Sequence, residues 1–409
     1  MTNRLPKILY LVHRIPYPPN RGDRIRSFHL LEFLAARSEV HLAFLSEGPP
    51  SPKAMKALAK HSAELAAVTL GPRTRWLRAA WSLGSGRTAT EGLFRSSQLA
   101  RIIGRWARDT RFDAVLVFCS SMAQYLDVAG LEGVPIVVDL VDVDSQKWLD
   151  YTESAGGLKR AVFRLEGRRL RRLERSLVER AKAVTLVSRH EADLLREFCP
   201  TDRIHAIANG VDLDYFRPAG PDESYDSRQC VFTGALDYRA NLDGVQWFCR
   251  HVWPEVHRRR PGVSFALVGS NPSATAYRLA ELPGVELVGE VPDVRPHLAS
   301  AAIAVVPLRV ARGIQNKVLE ALAMGKAVVA SPQSLEGLGV EPEVHLRQAA
   351  GPEEWINAIS DLLDNPELRN RLGRAGRAYV EEQHCWDARL APFAALLELG
   401  QQAVGVGPP

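Results

Sequence analysis

A lysine and a carboxylate lie one turn apart near the start of a predicted helix in the segment 306–331, VPLRVARGIQNKVLEALAMGKAVVAS. The pattern predicts a strand, a glycine-containing loop and a helix from about Gln315 to Met324. Lys317 and Glu320 are three residues apart, so they share one face of that helix. The lysine can meet a phosphate, and the carboxylate can accept two hydroxyl hydrogen bonds from a ribose. The alternative is an ordinary surface ion pair.

A second candidate is Arg239 in the segment 234–244, GALDYRANLDG, which follows a predicted strand. The planar fork of an arginine supplies paired donors that can span two phosphates. A solvated surface arginine is the simpler interpretation of this segment taken alone.

A third candidate is the loop 16–27, PYPPNRGDRIRS. Gly22 would let the backbone approach a ligand closely, and a helix beginning near Ser27 would offer unpaired N–H groups to an anion. Arg24 and Arg26 would add positive charge. The alternative is a turn glycine with solvated arginines.

Two series of continuous apolar runs predict the strands that position these loops. The first is KILYLV, VHLAFL (40–45), DAVLVF (113–118), PIVVDLV (135–141) and AVTLVS (183–188). The second is CVFTGA (230–235), SFALVG (264–269), VELVG (285–289), AIAVVPL (302–308) and AVVAS (327–331). Continuous runs indicate strands covered on both faces, and parallel sheets bind ligands beyond their carboxyl ends. The fold class is therefore α/β, with two doubly wound units joined by a turn-rich linker at 208–229.

Length and composition support this division. The 409 residues exceed what one core usually supports, and the composition, 46% hydrophobic and 24% charged, is that of a folded globular protein with a loose tail from Gly400 to Pro409. The net charge of +5 does not by itself imply a polyanionic partner. Five scattered cysteines are interpreted as reduced structural thiols.

The apolar run at the N-terminus is too short for a signal peptide or a membrane-spanning helix. We therefore expect a cytoplasmic protein, whose attachment to a membrane, if any, is peripheral.

Basic residues are concentrated in the first half. Between Gly71 and Arg111 there are nine arginines against two acidic residues, with Trp76, Trp81 and Trp106 among them, and Leu158 to Lys182 adds ten basic residues against three acidic ones. Three interpretations are open: a solvated surface, a nucleic-acid patch or a surface that meets anionic lipid headgroups. Tryptophan beside arginine favours the lipid interpretation, and no nucleic acid is expected as a partner.

Several motifs together resemble glycosyltransferase family four, the large retaining family with the two-Rossmann B-type (GT-B) fold. They are ANGVDLDYF, GEVPDVRPHLASAAIAVVPL (289–308) and GIQNKVLEALAMGKAVVAS. More narrowly, PYPPNRGDRIRSFHLLEFLA, VVDLVDVDSQKW and FTGALDYRANLDGVQWF resemble the sugar transferases associated with exopolysaccharide and exosortase gene clusters. The resemblance covers nearly the whole chain, with the motifs in the expected order.

The resemblance implies roles for individual residues. Glu320 matches the second glutamate of the family's Glu-x7-Glu motif, which is expected on the ribose, while Arg239 and Lys317 lie where the family places cations on the donor diphosphate. Gly22 matches the family's N-terminal glycine loop, and the backbone around Glu290 and Val291 corresponds to the loop that receives the base. The remaining implied donor-binding residues are Gly313, Ile314 and Gln315. It also implies an N-terminal acceptor-binding domain at 1–212, a nucleotide-sugar-binding domain at 213–385 that faces it across a central cleft, and a last helix and tail at 386–409 that can cross back.

Three departures from the family pattern stand out. Arg312 replaces the first glutamate of the motif, so contacts to the donor sugar must differ. A family lysine after the arginine of the second domain is replaced, with Asn241 nearby. The histidine often found after the fourth strand is missing, and Asp139, Asp142 and Asp144 stand in that stretch instead.

The expected activity is metal-independent hexosyl transfer. The donor is a nucleotide diphosphate sugar, UDP- or GDP-linked, and the acceptor a glycan or polyprenyl-linked glycan in surface polysaccharide synthesis. Stabilising the leaving diphosphate is the main requirement, and preorganised cations can meet it without a cofactor. Asp142 is a hypothetical orienting group for the acceptor or the donor sugar; otherwise it is a loop or capping carboxylate. The alternatives are a sugar-nucleotide epimerase or hydrolase on the same scaffold and a non-catalytic nucleotide-sugar-binding protein.

Overall fold

The computed structural model describes residues 4–20, 22–71, 74–153, 155–218, 220, 226–311 and 313–399. Arg73, Arg312 and the tail from Gly400 to Pro409, all singled out in the sequence, lie outside these ranges. The chain divides into two compact units. Unit 1 is Met1–Ile207 with Leu390–Pro409, and unit 2 is Ala208–Arg389.

Unit 1 is built on a seven-stranded sheet whose strand pairs are all parallel, in the order β3-β2-β1-β4-β5-β6-β7. Its strands are β1 (Lys7–Val12), β2 (Glu39–Ser46), β3 (Glu64–Thr69), β4 (Ala114–Phe118), β5 (Ile136–Val141), β6 (Ala183–Leu186) and β7 (Ile204–Ala206). Its helices are α1 (Gly22–Ala35), α2 (Pro52–Ala59), α3 (Arg75–Gly84), α4 (Ala89–Leu93), α5 (Ser97–Asp109), α6 (Asp144–Tyr151), α7 (Gly157–Arg180) and α8 (Arg189–Arg196), with a 3-10 helix at Ser120–Tyr125.

Unit 2 repeats the plan with a six-stranded parallel sheet in the order β10-β9-β8-β11-β12-β13. Its strands are β8 (Asp226–Thr233), β9 (Ser264–Val268), β10 (Val285–Gly289), β11 (Ala301–Val306), β12 (Ala327–Ala330) and β13 (Arg347–Gln348). Its helices are α9 (Arg239–His251), α10 (Trp253–Arg259), α11 (Ala274–Leu279), α12 (Arg295–Ser300), α13 (Asn316–Ala323), α14 (Pro332–Leu335), α15 (Pro352–Asp364) and α16 (Pro366–Gln383). Helix α17 (Trp386–Leu396) begins in unit 2, and its residues from Leu390 onward belong to unit 1.

The two-unit α/β fold expected from the apolar runs is confirmed. Each run coincides with a strand of one of the two sheets, and the central strands are buried along nearly their whole length. Three strands had no such signal: β3, β7 and β13. All three lie at the edge of a sheet, and β3 is buried only at alternate positions, so a continuous apolar run was not to be expected there.

Arg26 is a structural residue, which corrects the expectation that it adds charge at an anion site. Helix α1 begins at Gly22 rather than near Ser27, and Arg26 is fully buried within it. Its guanidinium donates to both carboxylate oxygens of Asp139, at 2.7 and 3.2 Å, and to the carbonyl of Ile207 at 2.9 Å. Asp139 also accepts from the hydroxyl of Thr185. Each buried charge is therefore paired, as burial requires.

All five cysteines are free thiols, and Cys199, Cys230 and Cys249 are buried. Burial raises the pKa of Cys230 and of Cys249 to about 12, so both remain protonated near neutral pH. Among the described helices, none combines the length and apolar character needed to cross a membrane.

Gly269, directly after β9, is expected to tolerate no side chain. A Cβ there would stand 1.8 Å from the carbonyl oxygen of Gly234, so the backbone would have to move. We expect Gly269→Ala to lower the free energy of unfolding by about 3 kcal/mol, measured by urea denaturation. The control Gly48→Ala, with no atom within 4 Å of the new Cβ, should stay within about 0.5 kcal/mol of wild type. A Gly269→Ala protein with the wild-type midpoint would contradict this packing.

Candidate active site

The sheet of unit 2 has its switch point between β8 and β11. Strand β8 lies between β9, the next strand in sequence, and β11. The loops that follow β8 and β11 therefore lead in opposite directions, to α9 and α13, and open α/β sheets bind ligands at such a point. Three of the candidate residues lie near the starts of these helices: Arg239 and Lys317 in the first turn of α9 and of α13, and Glu320 at the beginning of the second turn of α13.

Lys317 is the central cation of this region. Its Nζ donates to Asn241 Oδ1 at 3.2 Å and to Gln315 Oε1 at 3.3 Å, and it lies 5.9 Å from the centre of the Phe232 ring. Burial lowers the pKa of Lys317 to about 8, while the charge of Glu320 opposes this shift. Both oxygen partners are neutral amides, so Lys317 retains a positive charge that an anionic ligand can use.

Glu320 lies one turn further along α13 and is half-buried. Burial raises the pKa of its carboxyl to about 7, and the charge of Lys317 opposes the shift. Within the described ranges its carboxylate accepts no hydrogen bond and lies within 4 Å of no cationic group. The ordinary surface ion pair considered from the sequence is therefore not formed. A half-buried carboxylate with open acceptor sites can receive hydroxyl groups from a ligand.

Arg239 is exposed and is the first residue of α9. Asn241, two residues later, is buried; its amide donates to the carbonyl of Ala235 at 2.9 Å and its oxygen accepts from Lys317. Gly234 lies against this pair, since a Cβ there would stand 2.8 Å from Asn241 Nδ2 and 3.2 Å from Lys317 Cε. Asn241, which stands near the position of the expected family lysine, thus orients Lys317, a role that could not be predicted from the sequence.

The loop before α13 supplies the next three candidates. Gly313 has φ of +63°, Ile314 is buried, and Gln315 stands immediately before the first residue of α13. The side-chain amide nitrogen of Gln315 donates to the backbone carbonyl of Gly313 at 3.3 Å. This short turn holds the Gln315 oxygen beside the Lys317 ammonium.

Glu290 and Val291 follow β10 at the edge of the same sheet. Glu290 is exposed and Val291 is half-buried. Backbone hydrogen bonds join the loops beneath them: Gly269 donates to the carbonyl of Gly289, and Gly234 donates to the carbonyl of Val268. The carboxyl ends of β8, β9 and β10 are therefore tied together by main-chain contacts.

In unit 1 the switch point lies between β1 and β4. Gly22 is exposed at the first residue of α1, and no atom lies within 4 Å of where its Cβ would stand. Asp23 pairs with Arg14 at 3.2 Å, so some of the positive charge of the loop is neutralised.

His13, which sequence reasoning missed, directly follows β1. Its ring stacks on Phe118, and its Nε2 lies 3.7 Å from Asp23. Burial lowers the pKa of His13 to about 4, aided by Arg14 and opposed by Asp23, so the ring is neutral near pH 7. Its Nδ1 is buried, with no hydrogen-bond partner in the described parts of the chain. Its position at a strand's carboxyl end was the available signal.

The acidic loop after β5 carries Asp142 and Asp144. Two buried carboxylates fix its backbone: Glu191 accepts from the N–H of Val143 at 2.7 Å, and Glu174 accepts from the N–H of Ser145 at 2.9 Å. Burial raises the pKa of Asp144 to about 6 and that of Glu174 to about 8. Asp142 is half-buried beside this loop. In the described residues, no group of three or more His, Cys, Asp or Glu side chains has the arrangement of a metal site.

Comparison with known proteins places these sites in a family context. Residues 12–210 match the family model described as "Glycosyl transferase 4-like domain", and residues 227–365 match "Glycosyl transferases group 1". A GDP-mannose-dependent alpha-(1-6)-phosphatidylinositol monomannoside mannosyltransferase of Mycolicibacterium smegmatis is 28% identical over 250 residues, which are 54% of this chain and 64% of that protein. A GDP-mannose-dependent monoacylated alpha-(1-6)-phosphatidylinositol monomannoside mannosyltransferase of Corynebacterium glutamicum is 30% identical over 199 residues, which are 44% of this chain and 52% of that protein. The chain thus spans between about half and two thirds of the length of these relatives.

Solved structures share the fold over nearly the whole chain. Sucrose-phosphate synthase from Thermosynechococcus elongatus has a TM-score of 0.69 at 18% identity, covering 96% of this chain and 98% of that one. Anabaena HepE in complex with UDP has a TM-score of 0.65 at 14% identity, covering 96% and 99%.

Two Rossmann-like units with parallel sheets define a protein of the GT-B structural class. With glycosyltransferase family models matching both units, the chain belongs to the GT-B glycosyltransferases that resemble family four.

Proposed function

We propose that this chain transfers a hexosyl group from a nucleotide diphosphate sugar to a glycan or a lipid-linked glycan. The observation that carries the proposal is the arrangement in unit 2, where Lys317, oriented by Asn241, and Glu320, with open acceptor sites, lie at a sheet switch point. One supplies a positive charge and the other hydroxyl-binding oxygens, which are the groups that a nucleoside diphosphate requires.

In the proposed complex, Lys317 and Arg239 contact the pyrophosphate, and Glu320 accepts hydrogen bonds from the ribose. Glu290 and Val291 lie beside the base, and Gly313, Ile314 and Gln315 face the phosphates and the sugar. Gly22, the first residue of α1, is kept as a proposed donor-binding residue from the family resemblance. Negative charge grows on the leaving diphosphate, so preorganised cations lower the barrier without a metal or a cofactor. Retention of anomeric configuration is proposed from the family resemblance.

The donor is proposed to be a UDP- or GDP-linked sugar, since HepE is described in complex with UDP and the mycobacterial relative as GDP-mannose-dependent. The acceptor class, with a role in exopolysaccharide or other surface polysaccharide synthesis, is proposed from the narrower motif resemblance to the sugar transferases of exopolysaccharide gene clusters. A cytoplasmic location with peripheral membrane attachment fits a lipid-linked acceptor.

Thermal-shift screening of the full chain against UDP, GDP and ADP sugars tests the donor. A ligand that binds the folded protein at one hundred times its dissociation constant adds about 2.7 kcal/mol to stability, so one nucleotide class should raise the melting temperature clearly. The selected donor is then incubated with the protein in the presence and in the absence of a cell lipid extract that contains lipid-linked acceptors. Transfer of the sugar to the lipid fraction is measured.

Each competing activity gives its own result in this assay. Conversion of the sugar nucleotide without acceptor would indicate an epimerase, and release of free sugar would indicate a hydrolase. Binding without turnover in the presence of acceptor would indicate a binding protein. Any of these outcomes contradicts the proposed transfer.

Asp142 is proposed to orient the acceptor hydroxyl or the donor sugar. Asp142→Asn is expected to lower kcat by about 10²-fold, because loss of correct positioning of a reacting group costs about that much, while the donor-induced thermal shift stays close to the wild-type value. Asp109→Asn, at an exposed position on α5, is the matched control. Unchanged turnover of Asp142→Asn would remove this residue from the mechanism.

A further inference from the structure

The solvent-facing side of helix α3 carries only apolar side chains and glycine. Its exposed residues after Arg75 are Trp76, Leu77, Ala80, Trp81 and Gly84. At 3.6 residues per turn, they fall within about 140° of arc. Trp76, Leu77 and Trp81 are 67%, 71% and 61% exposed. The opposite side, with Ala79 and Ser82, is the one that packs against the protein. This helix thus presents its apolar face outward, the reverse of a helix that covers a core.

A second apolar stripe lies on the first turns of α7. Leu158, Val162 and Leu165 are all exposed and share one helical face with Arg169. The Arg169 guanidinium donates to the carbonyls of Leu83 and Arg87, at and just beyond the end of α3. The stripe on α7 therefore leads towards the end of α3, and we call the two together the α3–α7 face.

Positive charge surrounds these apolar groups. Residues 75–95 and 157–169 contain nine basic side chains against two acidic ones, Glu91 and Glu166. Glu166 is buried and accepts from the N–H groups of Ala89 and Thr90, and Glu91 forms a capping box with Thr88. Two of the arginines are ion-paired, since Arg75 lies 3.5 Å from Glu47 and Arg87 lies 3.7 Å from Glu91. The exposed basic residues of α7, which are Lys159, Arg160, Arg164 and Arg168, keep the outward charge of the α3–α7 face positive.

Two cations lie directly over the exposed indoles. The Arg75 guanidinium is 5.1 Å from the Trp76 ring centre, and that of Arg95 is 5.1 Å from the Trp81 ring centre. Trp106, which the sequence grouped with these two tryptophans, is buried in the core of unit 1 and takes no part.

We propose that the α3–α7 face docks on an anionic lipid bilayer. Trp76, Leu77 and Trp81 enter the headgroup region, where indole rings and short apolar segments are stabilised, and the surrounding arginines contact lipid phosphates. The residues of this face would mediate the peripheral membrane attachment proposed above. Vesicle binding can be measured whether or not the protein has transferase activity.

Two observations favour a bilayer over other occupants. A double-stranded nucleic acid would contact the arginines through its phosphates but would leave three large apolar side chains on one helix uncovered. A second copy of this chain would bring two faces of the same positive sign together, which is unfavourable. An anionic bilayer satisfies both the apolar and the basic components.

Vesicle co-sedimentation of the full chain tests the proposal. The protein should sediment with phosphatidylcholine vesicles that contain phosphatidylglycerol and much less with phosphatidylcholine alone, with binding weakened by added salt. The double variant Leu77→Asn/Trp81→Asn should bind at least about tenfold more weakly, because less apolar area is buried. Arg160→Gln/Arg164→Gln should also lose on the order of tenfold or more, since each basic group near an anionic surface contributes about fivefold.

Matched controls are available on unit 2. Tyr277→Asn removes an equally exposed aromatic from α11, and Arg371→Gln/Arg374→Gln removes two exposed cations from α16; both should bind vesicles like wild type. All positions are at the surface, so folding should be retained, as checked by thermal melting. Failure of the wild-type protein to sediment with anionic vesicles would overturn the proposal. So would wild-type binding by the Leu77→Asn/Trp81→Asn variant, or self-association without lipid that this variant abolishes.

Discussion

Lys317→Met is expected to lower kcat/KM for sugar transfer by about 10²- to 10³-fold, the usual cost of removing one preorganised group that stabilises developing negative charge. The Lys317 ammonium stands between two amide oxygens, so the folded protein already holds it in place before any ligand arrives. Methionine keeps the length and apolar stem of the side chain and removes only the charged group. The loss should therefore appear mainly in the chemical step and in donor binding.

The stability of Lys317→Met separates this role from a structural one. Burial already disfavours the charged form of Lys317, which is why its pKa falls to about 8, so the free energy of unfolding at pH 7 should change by no more than about 1 kcal/mol. Arg371→Met, at an exposed position on α16, is the control for loss of a cation in the same unit. Activity near the wild-type level in Lys317→Met, with normal folding, would contradict the proposed phosphate contact.

Glu320→Gln is expected to raise the stability of the free protein at pH 8 while weakening donor binding. The pKa of Glu320 is about 7 in the folded chain against 4.5 for an ordinary glutamate, so the folded state holds this proton more tightly than the unfolded state. Its contribution to the free energy of unfolding therefore declines as pH rises from about 4.5 to 7. At pH 8 the glutamine variant should gain up to about 3 kcal/mol, and at pH 4.5 the difference should vanish.

Donor binding should respond in the opposite sense. Hydrogen bonds to a charged acceptor contribute about 1.5–3 kcal/mol, so Glu320→Gln should raise the donor dissociation constant by about tenfold or more at pH 8. Lys317, with a pKa of about 8, also gains charge as the pH falls from 8 to 6, so donor affinity of the variant should rise over this range. In wild type the protonation of Glu320 opposes that rise, so the ratio of the variant's dissociation constant to that of wild type should shrink from pH 8 to pH 6. Glu382→Gln, exposed on α16, should match wild type in both measurements. Equal donor affinity of Glu320→Gln and wild type at pH 8 would refute the ribose contact.

The sequence predicted the central strands because a strand that is buried on both faces carries a continuous run of apolar residues, which can be recognised without knowing the fold. It also predicted that Lys317 and Glu320 share a helical face, since that depends only on local spacing. It could not predict that Asn241 orients Lys317, because the two residues are 76 positions apart and meet only when β8 and β11 pair. The same limit explains Arg26, whose partner Asp139 lies 113 residues away.

The solvent exposure of the tryptophan side chains also could not be predicted from the sequence. Trp76, Trp81 and Trp106 lie in similar arginine-rich surroundings, yet two are exposed and the third is in the core. The difference arises because α5 packs on the sheet, whereas α3 packs mainly against α4, and no local pattern distinguishes these two environments.

The main-chain hydrogen bonds that join the loops after β8, β9 and β10 have an evolutionary consequence. Gly234 to Val268, Leu236 to Ser270 and Gly269 to Gly289 are contacts between backbone atoms, so they persist whatever side chains the neighbouring positions carry. If Glu290 and Val291 lie beside the nucleobase as proposed, exchanges there should change which nucleobase is accepted and leave the proposed phosphate-binding residues in place. Donor preference in this scaffold is expected to diversify by single surface replacements, while the loop backbone stays constant.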